Sequence, residues 1–236
     1  MTYKNFTLDV DADGIALVTW DSPGKSMNVF DASVMDDLDA IVTKVADDDA
    51  IKGAVLTSGK DAFCAGADLS MMGGQAGGSG EGSKEDRVKA MYEGNLKFNM
   101  LLRSLETCGK PVAAAINGTA LGGGLEVALT CHYRVAVPSA KCGLPEVKLG
   151  LLPGAGGTQR LPRIGGPEKA LDMVTSGSHV GAKQCLEMGL VDELAEEGKL
   201  REGAVAFAKK VVAEKRPLKK VRDLNDKVEA ARGKPE

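Results

Sequence analysis

The sequence predicts an α/β fold, on three observations. Short apolar runs of strand character alternate with helix-length stretches along the whole chain, the pattern of an α/β domain. Hydrophobic residues make up 43% of the 236 positions and aromatic ones only 4%, so the core must be aliphatic. The 30 glycines exceed an average share of about 7% and fall in clusters, which marks special backbone rather than low complexity.

The elements follow in order. Phe6 to Val10 alternates, Asp11-Ala-Asp-Gly14 signals a turn, and Ile15 to Trp20 reads as the returning strand of a hairpin. After the turn at Ser22-Pro23-Gly24, Asp31 can cap a helix through about Val45. Val34, Leu38, Ile41, Val42 and Val45 share its apolar face. Gly53 to Thr57 is a short buried strand. Residues Gly73 to Ser83 carry too little apolar surface to order themselves, and so predict a mobile loop, with a domain linker as the alternative. A helix resumes from Lys84 to Leu105, and Pro111 to Ile116 is an apolar strand. Gly122-Gly-Gly124 opens a short helix, Leu125 to Cys131, and Tyr133 to Val137 is a strand. A short strand over Ala140 to Leu144 ends at Pro145, and Gly154 to Gly157 punctuates before the segment Thr158 to Pro162. Helices follow at Pro167–Thr175, Ala182–Met188 and Lys199–Lys215, and the chain beyond Pro217 is charged. No internal repeat is visible.

Several classes are excluded. A net charge of -3 supplies no broad basic face for nucleic acid. The five cysteines are odd in number, form no CxxC, and have only His132 and His179 to complete a metal site. Reduced, mostly buried thiols in a cytoplasmic compartment fit that usage. The polar start lacks a signal core, and no run nears the ~20 apolar residues of a membrane span.

Two places are built like anion holes. In Cys64-Ala-Gly-Ala-Asp68 small side chains let backbone N–H groups approach a ligand. Gly122-Gly-Gly124 sits at a helix start, where N–H groups are unpaired and the dipole is positive. One such donor is worth about 3–4 kcal/mol where it meets an oxyanion, although a tight turn with close packing also explains three glycines. Glu126 sits on the first turn of that helix, where an acid merely stabilising the N-terminus is the plainer reading. Glu146 follows Pro145 and reads alone as a loop carboxylate. Together, two carboxyls in a partly apolar site can divide acid and base duties. No GxSxG elbow supports a serine triad, His132 reads as a helix-end residue meeting the dipole, and His179 as a surface turn residue. Cys64 has no adjacent base to make it a nucleophile.

Four motifs, Phe63-Cys-Ala-Gly-Ala-Asp68, Asn117-Gly-Thr-Ala-Leu-Gly-Gly-Gly-Leu-Glu126, Gly143-Leu-Pro-Glu-Val-Lys-Leu-Gly150 and Leu152-Pro-Gly-Ala-Gly-Gly-Thr-Gln-Arg-Leu-Pro162, occur in that order. With them the chain resembles the enoyl-CoA hydratase/isomerase (crotonase) family over roughly Thr7 to Leu194. The resemblance implies a spiral of ββα units with a helical C-terminal region, and an acyl-CoA thioester substrate. It implies an oxyanion hole from the N–H groups of Ala67 and Gly123. Glu126 would be the base toward water, and Glu146 would protonate the carbon beside the carbonyl. Ala65, Gly66, Asp68, Leu69 and Gly122 would meet CoA or substrate, with Lys25 near the CoA phosphates. Having both acids favours hydration of a trans-2-enoyl-CoA over Δ3-Δ2 isomerisation. An inactive acyl-CoA-binding fragment is the rival of a different class.

The pattern departs from the family after Val191. Stand-alone members continue through helices that cover the site and build a trimer, whereas this chain reaches Glu236 in a charged stretch. Arg216-Pro-Leu-Lys-Lys-Val-Arg-Asp-Leu224 resembles the hydratase part of multifunctional fatty-acid-oxidation proteins, which continue into a 3-hydroxyacyl-CoA dehydrogenase. The expectation is therefore a hydratase core over 1–195, then a helix and charged segment, 196–236, leading into a longer chain. NAD would belong only to the region beyond, and no cofactor is expected here apart from the CoA of the substrate.

Overall fold

A computed structural model describes residues 2–67 and 83–233. The predicted loop lies outside the described residues apart from Ser83, and so do Asp68 and Leu69. Ser83 is no loop residue: it caps the helix that follows, accepting the Asp86 N–H at 3.2 Å while Asp86 accepts the Ser83 N–H at 3.0 Å.

Among the described residues, nine strands form two sheets. The larger contains, in spatial order, β1 (Phe6–Val10), β2 (Ile15–Trp20), β3 (Gly53–Ser58), β4 (Val112–Ile116), β6 (Tyr133–Ala136) and β9 (Glu193–Leu194). In this sheet, among the described residues, only the β1–β2 pair is antiparallel. Strands β3 and β4 are buried at every residue, as expected for parallel strands covered on both faces. The smaller sheet holds β5 (Thr119–Leu121), β7 (Lys141–Gly143) and β8 (His179–Gly181). Single bridges extend it, Cys64 to Ala120 and Phe30 to Ala67. The β4–β5 and β6–β7 units each put one strand into each sheet before helical structure returns, which is the expected ββα spiral.

The helices bury what the periodicity predicted. In α1 (Ala32–Asp47) the Asp31 side chain accepts the Val34 N–H at 3.0 Å, and the five predicted aliphatic residues are buried. Each such burial contributes roughly 1.5–3 kcal/mol relative to exposure. The long α2 (Lys84–Glu106) buries only its last turn and a half, through Leu101, Leu102, Leu105 and Glu106. After α3 (Gly123–Thr130), a 3-10 turn spans Pro145–Leu149. Then come α4 (Gly157–Gly165), α5 (Pro167–Ser176) and α6 (Ala182–Glu187). The segment from Thr158, given no element by the sequence, is therefore helical despite Pro162.

The final helices, α7 (Leu200–Ala213) and α8 (Asp226–Glu229), flank a 3-10 turn at Val221–Asp223. Helix α7 packs on β3, β4 and β6 through Leu200, Ala204, Phe207, Ala208 and Val211. The charged stretch folds back on the body. Val221 is fully buried, Lys219 pairs with Asp192, and Lys227 Nζ donates to the Met188 carbonyl at 2.9 Å.

Two histidine expectations are corrected. His132 is completely buried and carries no dipole charge: the Val112 N–H donates to Nδ1 at 3.1 Å, and Nε2 lies 3.1 Å from the Glu106 carbonyl. Burial pushes its pKa down to about 4, so it stays neutral. His179 is exposed but opens β8, paired with Gly143, rather than sitting in a turn.

All five cysteines are free, four of them buried. Burial pushes the Cys64 thiol up to about 12, which removes it as a nucleophile. Among the described residues, no helix is long and apolar enough to cross a membrane.

Candidate active site

The site is assembled between the loop that follows β3, the start of α3 after β5, and the segments that follow β7. Loop Cys64–Ala67 runs beside the start of α3, held from both sides. Phe30 N–H donates to the Gly66 carbonyl at 2.9 Å, Ala65 N–H to the Asn28 carbonyl at 3.0 Å, and Leu121 N–H to the Cys64 carbonyl at 3.0 Å. Asn28 is the fully buried hub of this loop: its Nδ2 reaches the Trp20 carbonyl and Ser58 Oγ, both at 2.9 Å. Phe30 is itself braced by Trp20 and Phe98, with ring centroids 4.6 and 5.0 Å away. Nothing in the sequence pattern marks Asn28 or Phe30 as part of the site.

The three glycines of the helix start have separate reasons. Gly122 has φ +51°, a conformation side chains rarely adopt. A Cβ on Gly124 would lie 2.6 Å from Cys64 Cβ, so only glycine lets α3 pack on the loop. A Cβ on Gly123 would meet nothing nearer than 3.8 Å, where it would reach both Ala67 N and a Phe30 ring carbon. The Gly123 and Ala67 backbones thus lie close together, with Phe30 beside them. Gly123 opens the helix, where first-turn N–H groups lack intrahelical acceptors. Gly66, at φ +107°, lies against this same start, 3.6 Å from Gly123 N measured from where its Cβ would be.

Glu126 is 2% exposed, on the first turn of α3. Its Oε1 accepts two backbone N–H groups, from Ala155 at 2.8 Å and from Gly157 at 2.7 Å. Glycine suits position 157, because a Cβ there would fall 3.0 Å from both Oε1 and Leu144 Cδ1 and would press on the carboxylate. Burial pushes the Glu126 pKa up to about 7; the Gly157 N–H opposes the rise and the Glu146 charge adds to it. Glu146 stands on the first turn of the 3-10 helix after β7 and is half-buried. Its Oε1 would lie 3.2 Å from a Cβ on Gly122, so it overhangs the start of α3. Its Oε2 is shielded from solvent yet has no hydrogen-bond partner among the described residues. A buried polar atom without a partner costs about 1–3 kcal/mol and needs an explanation. Burial raises this carboxyl as well.

The fold therefore brings Ala65, Gly66, Ala67, Gly122, Gly123, Glu126 and Glu146 to one place. Lys25 lies on the neighbouring Ser22–Phe30 segment, where its Nζ pairs with Asp31 at 3.0 Å. That Ala155 and Gly157 hold Glu126 is not readable from the sequence, beyond a glycine cluster of unassigned purpose.

The family model for enoyl-CoA hydratase/isomerase matches residues 11–234. The chain belongs to the enoyl-CoA hydratase/isomerase family. Relatives of that family include the "fatty acid oxidation complex subunit alpha" of Shewanella amazonensis, 45% identical over 219 residues, and that of Idiomarina loihiensis, 42% identical over 221. Each match covers 92% of this chain but 30% of the relative, so the chain spans less than a third of those proteins' length. Among solved structures, an enoyl-CoA hydratase from Bacillus anthracis superposes with a TM-score of 0.77 at 31% identity, covering 89% of this chain and 76% of that one. DspI from Pseudomonas aeruginosa gives 0.78 at 33% identity, with 98% and 83% covered.

Proposed function

We propose that this member of the enoyl-CoA hydratase/isomerase family adds water across the double bond of a trans-2-enoyl-CoA, giving a 3-hydroxyacyl-CoA. One observation carries the reading. Two carboxyls, Glu126 buried and pinned by backbone donors and Glu146 half-buried with an unpartnered oxygen, flank a helix start whose Gly123 lies beside the Ala67 backbone nitrogen.

In this reading the thioester oxygen takes hydrogen bonds from the N–H groups of Ala67 and Gly123. Glu126 Oε2 removes a proton from water, and the oxygen forms its bond to C3. The double-bond electrons move toward the thioester oxygen, giving an enolate-like species that the two donors stabilise. Glu146 then delivers a proton to C2 from the same side, so that H and OH add syn. Glu126 ends protonated and Glu146 ionised, and exchange with solvent resets both. A base whose pKa lies near the working pH suits this task. Ala65, Gly66, Asp68, Leu69 and Gly122 would contact CoA or the acyl carbonyl. Lys25 would sit at the phosphate end.

No cofactor is needed beyond the CoA of the substrate, and the free thiols favour a cytoplasmic setting. The likeness to the fatty-acid-oxidation subunits supports a role in β-oxidation. We further propose a hydratase core at 1–195, joined through 196–236 to a longer chain with a dehydrogenase region; the match to 30% of the relative's length supports the longer chain. Turnover of a 2-enoyl-CoA in ¹⁸O water and D₂O tests the chemistry. Hydration puts ¹⁸O on C3 and one deuterium on C2, whereas isomerisation of a 3-enoyl-CoA incorporates no ¹⁸O. Binding of acyl-CoA without either label would leave only a binding fragment.

A further inference from the structure

Glu106 is the last residue of α2, and its side chain is 1% exposed. Nothing in the proposed chemistry uses it, yet three groups converge on its carboxylate. Oε2 accepts from Arg103 Nη1 at 2.9 Å and lies 3.5 Å from Arg160 Nη2, while Oε1 accepts the Arg222 N–H at 3.0 Å. These donors overcome burial, and its pKa is held below the usual value. Arg160, mostly buried on α4, turns its other nitrogen away from Glu106, and Nη1 donates to the Ala155 carbonyl at 3.0 Å. The guanidinium presses Nη1 against the turn, since a Cβ on Gly156 would fall 2.3 Å from it. Ala155 is also the residue whose N–H holds Glu126 Oε1.

We propose that Arg160, oriented by Glu106, is a positioning residue for Glu126: it locks the Ala155–Gly157 turn so that two N–H groups fix one carboxylate oxygen and leave the other for water. The Arg222 N–H makes docking of the C-terminal 3-10 turn part of the same chain of contacts. The proposal rests on Glu126 being the base of the hydration. It predicts two separable effects of Arg160, on geometry through the turn and on charge, because the guanidinium also favours the ionised form of Glu126.

The test uses Arg160→Met, Arg160→Lys and Glu106→Gln in the full chain, with Ile164→Ala as a buried control on the same helix. Crotonyl-CoA hydration is followed against pH, and the Glu126 carboxylate is titrated by infrared difference against Glu126→Gln. Arg160→Met should lower kcat by up to ~100-fold, the cost of about an ångström of misplacement, with KM changed far less. It should also move both the acid limb of kcat and the carboxylate titration to higher pH. Arg160→Lys should restore most of the titration but less of kcat, Glu106→Gln should move both in the same direction as Arg160→Met by a smaller amount, and Ile164→Ala should lower Tm without moving either. An Arg160→Met protein that loses Tm but keeps the wild-type Glu126 titration and kcat would overturn the proposal. Absence of hydration by the wild type would instead sink the hydratase reading, and the infrared titration would still decide the positioning role.

Discussion

Gly157 donates its backbone N–H to Glu126 Oε1 at 2.7 Å, across 31 positions of sequence. With the Ala155 N–H on the same oxygen, this gives the carboxylate a fixed face and an open one. Donors of this kind lower a pKa, yet burial outweighs them and Glu126 sits at about 7.

A base must be ionised to act, so kcat for hydration should rise with pH through about 7 and fall away below it. Steady-state rates between pH 5 and 9 check this. A flat profile across that range would remove Glu126 from the rate-determining proton transfer.

The same shift has a stability consequence. The native state holds the Glu126 proton more tightly than the unfolded chain, whose glutamate titrates near 4.5. The native state therefore loses stability as pH rises from about 4.5 through 7, by roughly 3 kcal/mol at most. Glu126→Gln is neutral throughout and keeps an acceptor for both N–H groups. Urea unfolding should show it level with the wild type near pH 4.5 and more stable at pH 8.

The glycines of the hole should separate folding from function. Gly124→Ala puts a methyl into Cys64, and overpacking of this kind typically costs about 1–3 kcal/mol. Gly123→Ala meets only ordinary contacts, so its Tm should change little. Its methyl nevertheless occupies the space beside Ala67 N, and hydration should fall sharply. A Gly123→Ala protein with full turnover would remove this space from the site.

Arg134 closes the end of the helix that carries Glu126. It is 2% exposed, donates from Nη1 to the Cys131 carbonyl at 2.7 Å and lies 3.6 Å from Asp192. Arg134→Met leaves Asp192 and the carbonyls short of a partner and should cost about 3–5 kcal/mol in chemical unfolding.

The parts of this molecule visible in its sequence are those governed by local rules. Helix α1 has its cap and its five buried aliphatics where a 3.6-residue period puts them, and α2 begins at Lys84 as expected. The two glutamates and the paired glycine loops were legible for the same reason, as each is a short contiguous signal. The three-residue strands β5 and β8 carry too little periodicity to be seen, and helix α4 was obscured by its glycines and Pro162. Long-range polar contacts were not legible at all. That His132 bridges Val112 and Glu106, or that Arg160 braces Ala155, follows only from elements brought together by the whole spiral. The packing of the charged ending on the body was not legible either, because its charges find their partners across the fold, Lys219 on Asp192 and Lys227 on the Met188 carbonyl.

The central claim is that Glu126 and Glu146 together hydrate an enoyl thioester over the Ala67–Gly123 hole. It is tested most directly by loss of the conjugated-thioester absorbance of crotonyl-CoA with the wild type, Glu126→Gln and Glu146→Gln, all confirmed folded. The wild type should consume the conjugated thioester, and each single variant should lose at least ~100-fold in kcat, in line with the usual contribution of a positioned acid or base. Full turnover by both variants would contradict the account.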